Sequence, residues 1–184
     1  LFGASTGRVI VLNPLTNPMS VVYASNPDPS GRAIGSGPAV ANIDADAALE
    51  IVVTANSGQV RAYDIVNHAA TGGCEHQWAA NPGSTYIWTS PVIGNVDGDA
   101  AIEVVAFSND SMLTVMSTNA RVAGACTEGR IDATRGVGGG GAAWFTPALG
   151  NLDGNAALDI VVANYTALEI HNIQDGTMPM RAVD

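Results

Sequence analysis

The chain has 184 residues, 47% of them hydrophobic and 13% charged, with seventeen acidic side chains against seven basic ones. All the basic residues are arginine, and the formal charge of −10 makes phosphate backbones and anionic membrane surfaces poor partners while favouring divalent cations. No apolar run approaches the roughly 18 to 20 residues a bilayer-crossing helix needs, and Cys74 and Cys126 stand outside the CxxC spacing of zinc or thioredoxin-like motifs.

The chain opens on Leu1 rather than methionine, as expected after removal of a leader or for an interior piece of a longer protein. Its first residues already repeat something met later. Gly3-Ala4-Ser5-Thr6-Gly7-Arg8-Val9-Ile10-Val11-Leu12-Asn13 aligns with Thr54-Ala55-Asn56-Ser57-Gly58-Gln59-Val60-Arg61-Ala62-Tyr63-Asp64, each reading as a strand end, a glycine-containing hairpin turn and an alternating strand. A further strand near Ser20 to Ser25 completes a partial unit over 1–36.

Three fuller units follow, over 37–89, 90–145 and 146–184. In the first, strands are predicted at Pro38 to Ile43, Glu50 to Ala55, Gln59 to Ile65 and His76 to Ala80. In the second they fall near Pro91 to Val96, Glu103 to Ser108, Met112 to Thr118 and Ile131 to Thr134, and in the third near Pro147 to Leu152, Asp159 to Asn164, Ala167 to Ile173 and Met178 to Val183. Pro38, Pro91 and Pro147 space the copies by about 53 and about 56 residues, a period of repeat architectures. No segment keeps a 3.6-residue apolar period over three turns, so helix should be close to absent. Repeated four-stranded units of this length predict an all-β chain of β-propeller blades, each of four antiparallel strands. About three and a half blades are present, as part of a larger propeller or assembly; a solenoid fits less well, its repeats being shorter or helical.

Between the first and second strands of each unit lies a turn crowded with oxygen-bearing side chains. Counting its first Asn as position one, oxygen donors fall at positions one, three, five and nine, with a backbone carbonyl near seven. These are Asn42, Asp44, Asp46, Ala48 and Glu50; Asn95, Asp97, Asp99, Ala101 and Glu103; and Asn151, Asp153, Asn155, Ala157 and Asp159. Calcium takes six to eight oxygens in flexible geometry, which donors at alternate positions can supply around one point. Three carboxylates in each of the first two turns against two in the third make the third the expected weakest. The alternative is an Asx-type turn, in which the same side chains accept backbone N–H bonds without an ion.

Ser90-Pro91-Val92-Ile93-Gly94-Asn95-Val96-Asp97-Gly98-Asp99 with Glu103, and its two copies, resemble the FG-GAP/VCBS repeat of integrin alpha-subunit propellers and of many secreted bacterial and fungal propellers. The resemblance implies a propeller, calcium in the turns and a place outside the cytoplasm or at the cell surface. Two positions depart from the family pattern. Position one is Asn where Asp is common, and position six is Ala47, Ala100 and Ala156 where Gly is usual, which would cost about 1 kcal/mol or more wherever a left-handed backbone is required there.

Other features carry weaker signals. Trp88 and Trp144 occupy equivalent places before the first strand of successive units, suited to packing between blades or, if exposed, to stacking on a sugar or a partner; Trp78 reads as core. The run Gly136 to Gly141 lacks the Lys-Ser/Thr of a phosphate loop and leads into a strand, so it reads as a flexible connection. Cys74 and Cys126 follow the third strands of neighbouring units, where a disulfide needs their loops to bend toward each other. His68, His76 and His171 have no partner at catalytic or ligand spacing, and Asn109-Asp110-Ser111 and Asn164-Tyr165-Thr166 match the N-glycosylation sequon.

The expected function is that of a non-enzymatic, extracellular calcium-binding propeller module for binding, adhesion or surface assembly, with a protein or carbohydrate ligand. One alternative is the propeller of a secreted enzyme, acting on polysaccharide or as a quinoprotein dehydrogenase; against it, no convergent acid, base and nucleophile are visible. Another is a structural subunit of a surface filament, self-assembling or completed by further chain.

Overall fold

The computed structural model describes residues 2–3, 7–25, 32–43, 48–66, 78–80, 86–118, 127–128, 130–138, 144–165, 168–173 and 180–181. They form sixteen strands and no helix. The partial first unit is a sheet of β1 (Phe2–Gly3), β2 (Val9–Asn13) and β3 (Ser20–Ala24). The second sheet holds β4 (Ala39–Ala41), β5 (Glu50–Thr54), β6 (Val60–Asp64) and β7 (Trp78–Ala80). The third holds β8 (Val92–Gly94), β9 (Glu103–Phe107), β10 (Met112–Ser117) and β12 (Arg130–Gly136), and the fourth β13 (Ala148–Gly150), β14 (Asp159–Ala163), β15 (Leu168–His171) and β16 (Met180–Arg181). Within each unit, strands consecutive in this order pair antiparallel.

One strand departs from the expected four per blade. β11 (Thr127–Glu128), from the connection between β10 and β12, reaches back and pairs in parallel with β7, making the second sheet five-stranded. Two residues on a sheet edge leave no alternation for the sequence to display, but they cover a row of backbone groups that would otherwise lie open.

The sheets stack face to face through three apolar clusters, and alternation along each strand decides which neighbour a residue meets. In β9, Val104 and Ala106 join Met116, Val52, Val60 and Ala62 between the second and third sheets. Val105 and Phe107 point the other way, joining Leu113, Val115, Ile160 and Val162 between the third and fourth. Val9 and Tyr23 meet Ile51, Val53 and Tyr63 at the first junction. Because β5, β6 and β9 are covered on both faces, every residue in them is buried. In β5 and β9 this is why the sequence, after an opening glutamate, reads as a continuous apolar run, whereas β6 buries Arg61 and Asp64 among its apolar residues.

Buried hydroxyls stitch the junctions. Thr54 Oγ1 donates to the Thr89 carbonyl at 2.7 Å, and Thr89 Oγ1 to that of Phe107 at 2.6 Å. At the inner edge, Gly94 allows β8 close to the fourth sheet, since a Cβ there would lie 2.8 Å from Leu158 Cδ1 and 2.9 Å from Leu149 Cδ1.

The glycine run is less loose than the sequence suggests. Gly136 ends β12, Val137 is buried in the cluster between the third and fourth sheets, and the Gly138 amide donates to Glu169 Oε1 at 2.7 Å. Residues 139–141, together with Cys74, Cys126, His68 and His76, lie outside the described residues.

Candidate metal-binding turns

The second and third turns are built alike. In the second, Asn95 Oδ1 accepts the Gly98 N–H at 2.7 Å while its amide donates to the Asp99 carbonyl. Asp97 Oδ1 accepts the Asp99 N–H at 3.0 Å, and Asp99 Oδ1 that of Ala101 at 2.6 Å. In the third, Asn151 Oδ1 accepts from Gly154 at 2.6 Å and its amide donates to the Asn155 carbonyl. Asp153 Oδ1 accepts from Asn155 at 3.1 Å, and Asn155 Oδ1 from Ala157 at 2.8 Å.

This pattern explains the asparagine at position one. Its side chain both accepts from position four and donates to position five, whereas an ionised aspartate has no hydrogen to donate. Asn95 and Asn151 therefore act as clamps of the turn, at the cost of one ligand charge.

The left-handed residue also sits elsewhere than the family pattern suggests. Gly98 and Gly154, at position four, have φ of 80° and 82°, whereas neither Ala100 nor Ala156 has a positive φ. Alanine at position six thus imposes no strain in these two turns. A Cβ on Gly98 would come no nearer than 3.8 Å to its neighbours, so Gly98→Ala isolates the backbone cost. It is expected to lower stability by about 1 to 2 kcal/mol in a urea melt. In the first turn Ala45 stands at position four. Asp44, Asp46 and Ala47 of that turn lie outside the described residues, while Asn42 and Ala48 are described and partly buried.

Position nine is a buried bracket in all three units. Glu50 Oε2 accepts the Ile43 N–H at 2.8 Å, Glu103 Oε2 that of Val96 at 2.9 Å, and Asp159 Oδ2 that of Leu152 at 2.7 Å. Each carboxylate sits at the start of the second strand and closes the turn onto the end of the first. All three side chains are buried, and a charge so placed is tolerated only when paired or hydrogen-bonded.

In the second turn these contacts gather Asp97, Asp99 and Glu103 so that one oxygen from each lies within 4.8 Å of the others. Asp97 and Asp99 are exposed and Glu103 is buried, so the group opens outward from a fixed base. The third turn has the same backbone frame but, by sequence, two carboxylates in place of three.

The structure also finds a partner that sequence spacing missed. His171 Nε2 lies 3.0 Å from Glu169 Oε2, with His171 fully buried at the junction of the third and fourth sheets. Burial pushes the His171 pKa below its ordinary value, opposed by the Glu169 charge and reinforced by Arg135. The signal was Leu168-Glu169-Ile170-His171, whose alternation puts acid and histidine on one face of a strand. Asn164 is buried and its Nδ2 donates to the Gly138 carbonyl at 2.7 Å, which closes that sequon to glycosylation in the folded protein.

A scan against protein-family models and a search of curated proteins find no match. Among solved structures, the chain is similar to Sqt1 of Chaetomium thermophilum, with a TM-score of 0.58 and 14% identity over 98% of this chain and 41% of that one. It is also similar to the same organism's Sqt1 bound to the N-terminus of ribosomal protein L10, with 0.56, 13%, 96% and 43% for the same measures. BamB from Moraxella catarrhalis gives 0.52, 14%, 97% and 51%. The chain thus spans about half or less of these proteins, and at such identities the likeness is one of fold, an all-β, propeller-like stack of sheets.

Proposed function

We propose that the chain is a segment of a larger four-stranded-blade propeller, a non-enzymatic binding module outside the cytoplasm or at the cell surface, with calcium holding its acidic turns. The observation that carries the cation reading is the convergence of Asp97, Asp99 and Glu103 within 4.8 Å. Three carboxylates so close repel one another, and a divalent cation turns that repulsion into attraction. Oxygen-only donors on a turn open to water suit calcium, which accepts irregular coordination and keeps waters. Asp97, Asp99 and Glu103 would hold the ion, and it would supply structural stabilisation of the turn.

Further blades are supported by the outer face of the fourth sheet. Leu168 is 54% exposed there, whereas its counterpart Leu113 in the third sheet is fully covered. Val161, Ala163 and Ile170 are likewise partly exposed where Val105, Phe107 and Val115 are buried. A protein ligand is a second reading, favoured by the similar fold of Sqt1 in its complex with the N-terminus of ribosomal protein L10.

Isothermal titration with calcium tests the cation reading. Heat of binding should appear for the parent chain and fall at least tenfold in affinity in Asp97→Asn/Asp99→Asn. Equal heats from both proteins would remove the second turn as the site.

A further inference from the structure

Each junction between sheets joins two different faces, the trailing face of one sheet and the leading face of the next. The leading face carries alternate residues of the unit's third strand. Arg61 and Tyr63 in β6, Thr114 and Met116 in β10, and Glu169 and His171 in β15 are equivalent by register, and all of them are buried. In β2, which aligns with β6, these places are held by Ile10 and Leu12.

No sheet precedes theirs among the described residues. Val9 and Tyr23 are turned to the second sheet, so alternation turns Ile10 and Leu12 the other way, beside their cross-strand partners Ala24 and Val21. Ile10 and Leu12 are only partly buried, Ala24 is exposed and Val21 is 61% exposed. The leading face is thus most apolar in the sheet where it is least covered.

The trailing face of the fourth sheet is open in the complementary way. Val161 pairs with Ile170 and Ala163 with Leu168, as Val105 pairs with Val115 and Phe107 with Leu113 in the third sheet, where the fourth sheet covers them. None of the residues on the two open faces is charged, although the chain carries a formal charge of −10. One chain therefore holds both halves of a further junction, at opposite ends of its stack. A copy of this chain fits both faces at once, and it does so by a contact the chain already makes between its own sheets. The number of sheets agrees. Two copies bring eight, at the upper end of the roughly four to eight blades of a propeller, and three would exceed it. The chain also spans 41% of Sqt1 and 51% of BamB, so two copies supply about what one such fold contains.

We propose that two copies of this chain close head to tail into a ring of eight sheets, the fourth sheet of each covering the first sheet of the other. This rests on the reading of the chain as part of a larger propeller, and it names a second copy as the source of the remaining blades. Two-fold symmetry makes the two junctions identical and leaves neither face open. The test is sedimentation velocity of the full chain over a wide range of concentration. The parent should reach twice the 18.7 kDa of one chain and stop there. Leu168→Glu and Val21→Lys alter exposed positions and should keep the parental circular dichroism. Each should weaken dimerisation about a hundredfold or more, because a homodimer of either variant buries an unpaired charge at both junctions. Mixed in equal amounts, the two variants should pair again, since one junction then sets glutamate against lysine and the other is parental on both faces. Failure of the mixture to pair would overturn the head-to-tail order, and a mass that grows beyond two copies would overturn closure of the ring. A parent that stays monomeric would overturn the second copy while leaving further blades to the same protein. A dimer indifferent to both substitutions would overturn these faces as junctions, and with them the support for further blades.

Discussion

A His171→Met variant should unfold about 3 kcal/mol more easily than the parent. Methionine fits the position, since Met116 holds the equivalent place one sheet earlier, with Thr114 where the fourth sheet has Glu169. Volume is therefore not the issue. The loss comes from Glu169, a buried carboxylate left with the Gly138 N–H but without its imidazole partner. Replacing both members should be far milder: Glu169→Thr/His171→Met copies the Thr114 and Met116 pair and is expected within about 1 kcal/mol of the parent. Gly138 is exposed, so water can take over its N–H. A double-mutant cycle in urea reads the coupling directly.

The same pair sets a dependence on pH. Burial holds the His171 pKa below its ordinary value in the folded protein, so on acidification the unfolded chain takes up that proton first. Stability from this group is then level above about pH 6.5 and falls as the pH drops below it, by at most about 1.4 kcal/mol per pH unit. Arg135 adds to the lowering and Glu169 opposes it. All other ionisable groups are common to both proteins, so the slope of the parent minus that of Glu169→Thr/His171→Met isolates the buried pair. A difference of zero between the two acid limbs would contradict the assignment.

Glu103 separates the two tasks assigned to position nine. Glu103→Ala removes both the bracket on the Val96 N–H and the carboxylate nearest the core, and should cost about 2 to 3 kcal/mol even in chelator. Glu103→Gln keeps an acceptor for Val96 while losing the charge. In chelator it should lie within about 1 kcal/mol of the parent, but it should gain much less from calcium. Urea melts of the three proteins, with and without the ion, check this. If Glu103→Gln gained as much from calcium as the parent, Glu103 would be a bracket alone.

Much of the architecture is written in the chain because repetition turns weak local signals into a strong one. The runs Glu50-Ile51-Val52-Val53 and Glu103-Val104-Val105-Ala106 carry the mark of strands covered on both faces, and β5 and β9 begin at those glutamates. The first strands of the units were less legible: β4, β8 and β13 have three residues each, shorter than the apolar stretches suggested, because backbone pairing stops before the acidic turns begin. β11 was invisible, since two residues are too short a run to show a period and its parallel pairing with β7 links residues far apart in sequence.

At the site, spacing found the convergent carboxylates, but chemistry by position could not tell a ligand from a clamp. Asn95 offers an oxygen in sequence, yet that oxygen is turned to the Gly98 N–H. Gly98 also matters more than the alanine two places later, because it carries the left-handed φ. Which residue of a turn adopts that conformation depends on the whole hydrogen-bond pattern rather than on a family's usual glycine.

Calcium held in the acidic turns should stabilise the blades against heat. Calorimetric melting of the parent chain, first with calcium at about a hundred times its dissociation constant and then with excess chelator, tests it most directly. A higher midpoint is expected with calcium, equivalent to about 2.7 kcal/mol for one occupied site, reversed by the chelator. An identical midpoint in both conditions would contradict it and leave the turns as metal-free clamps.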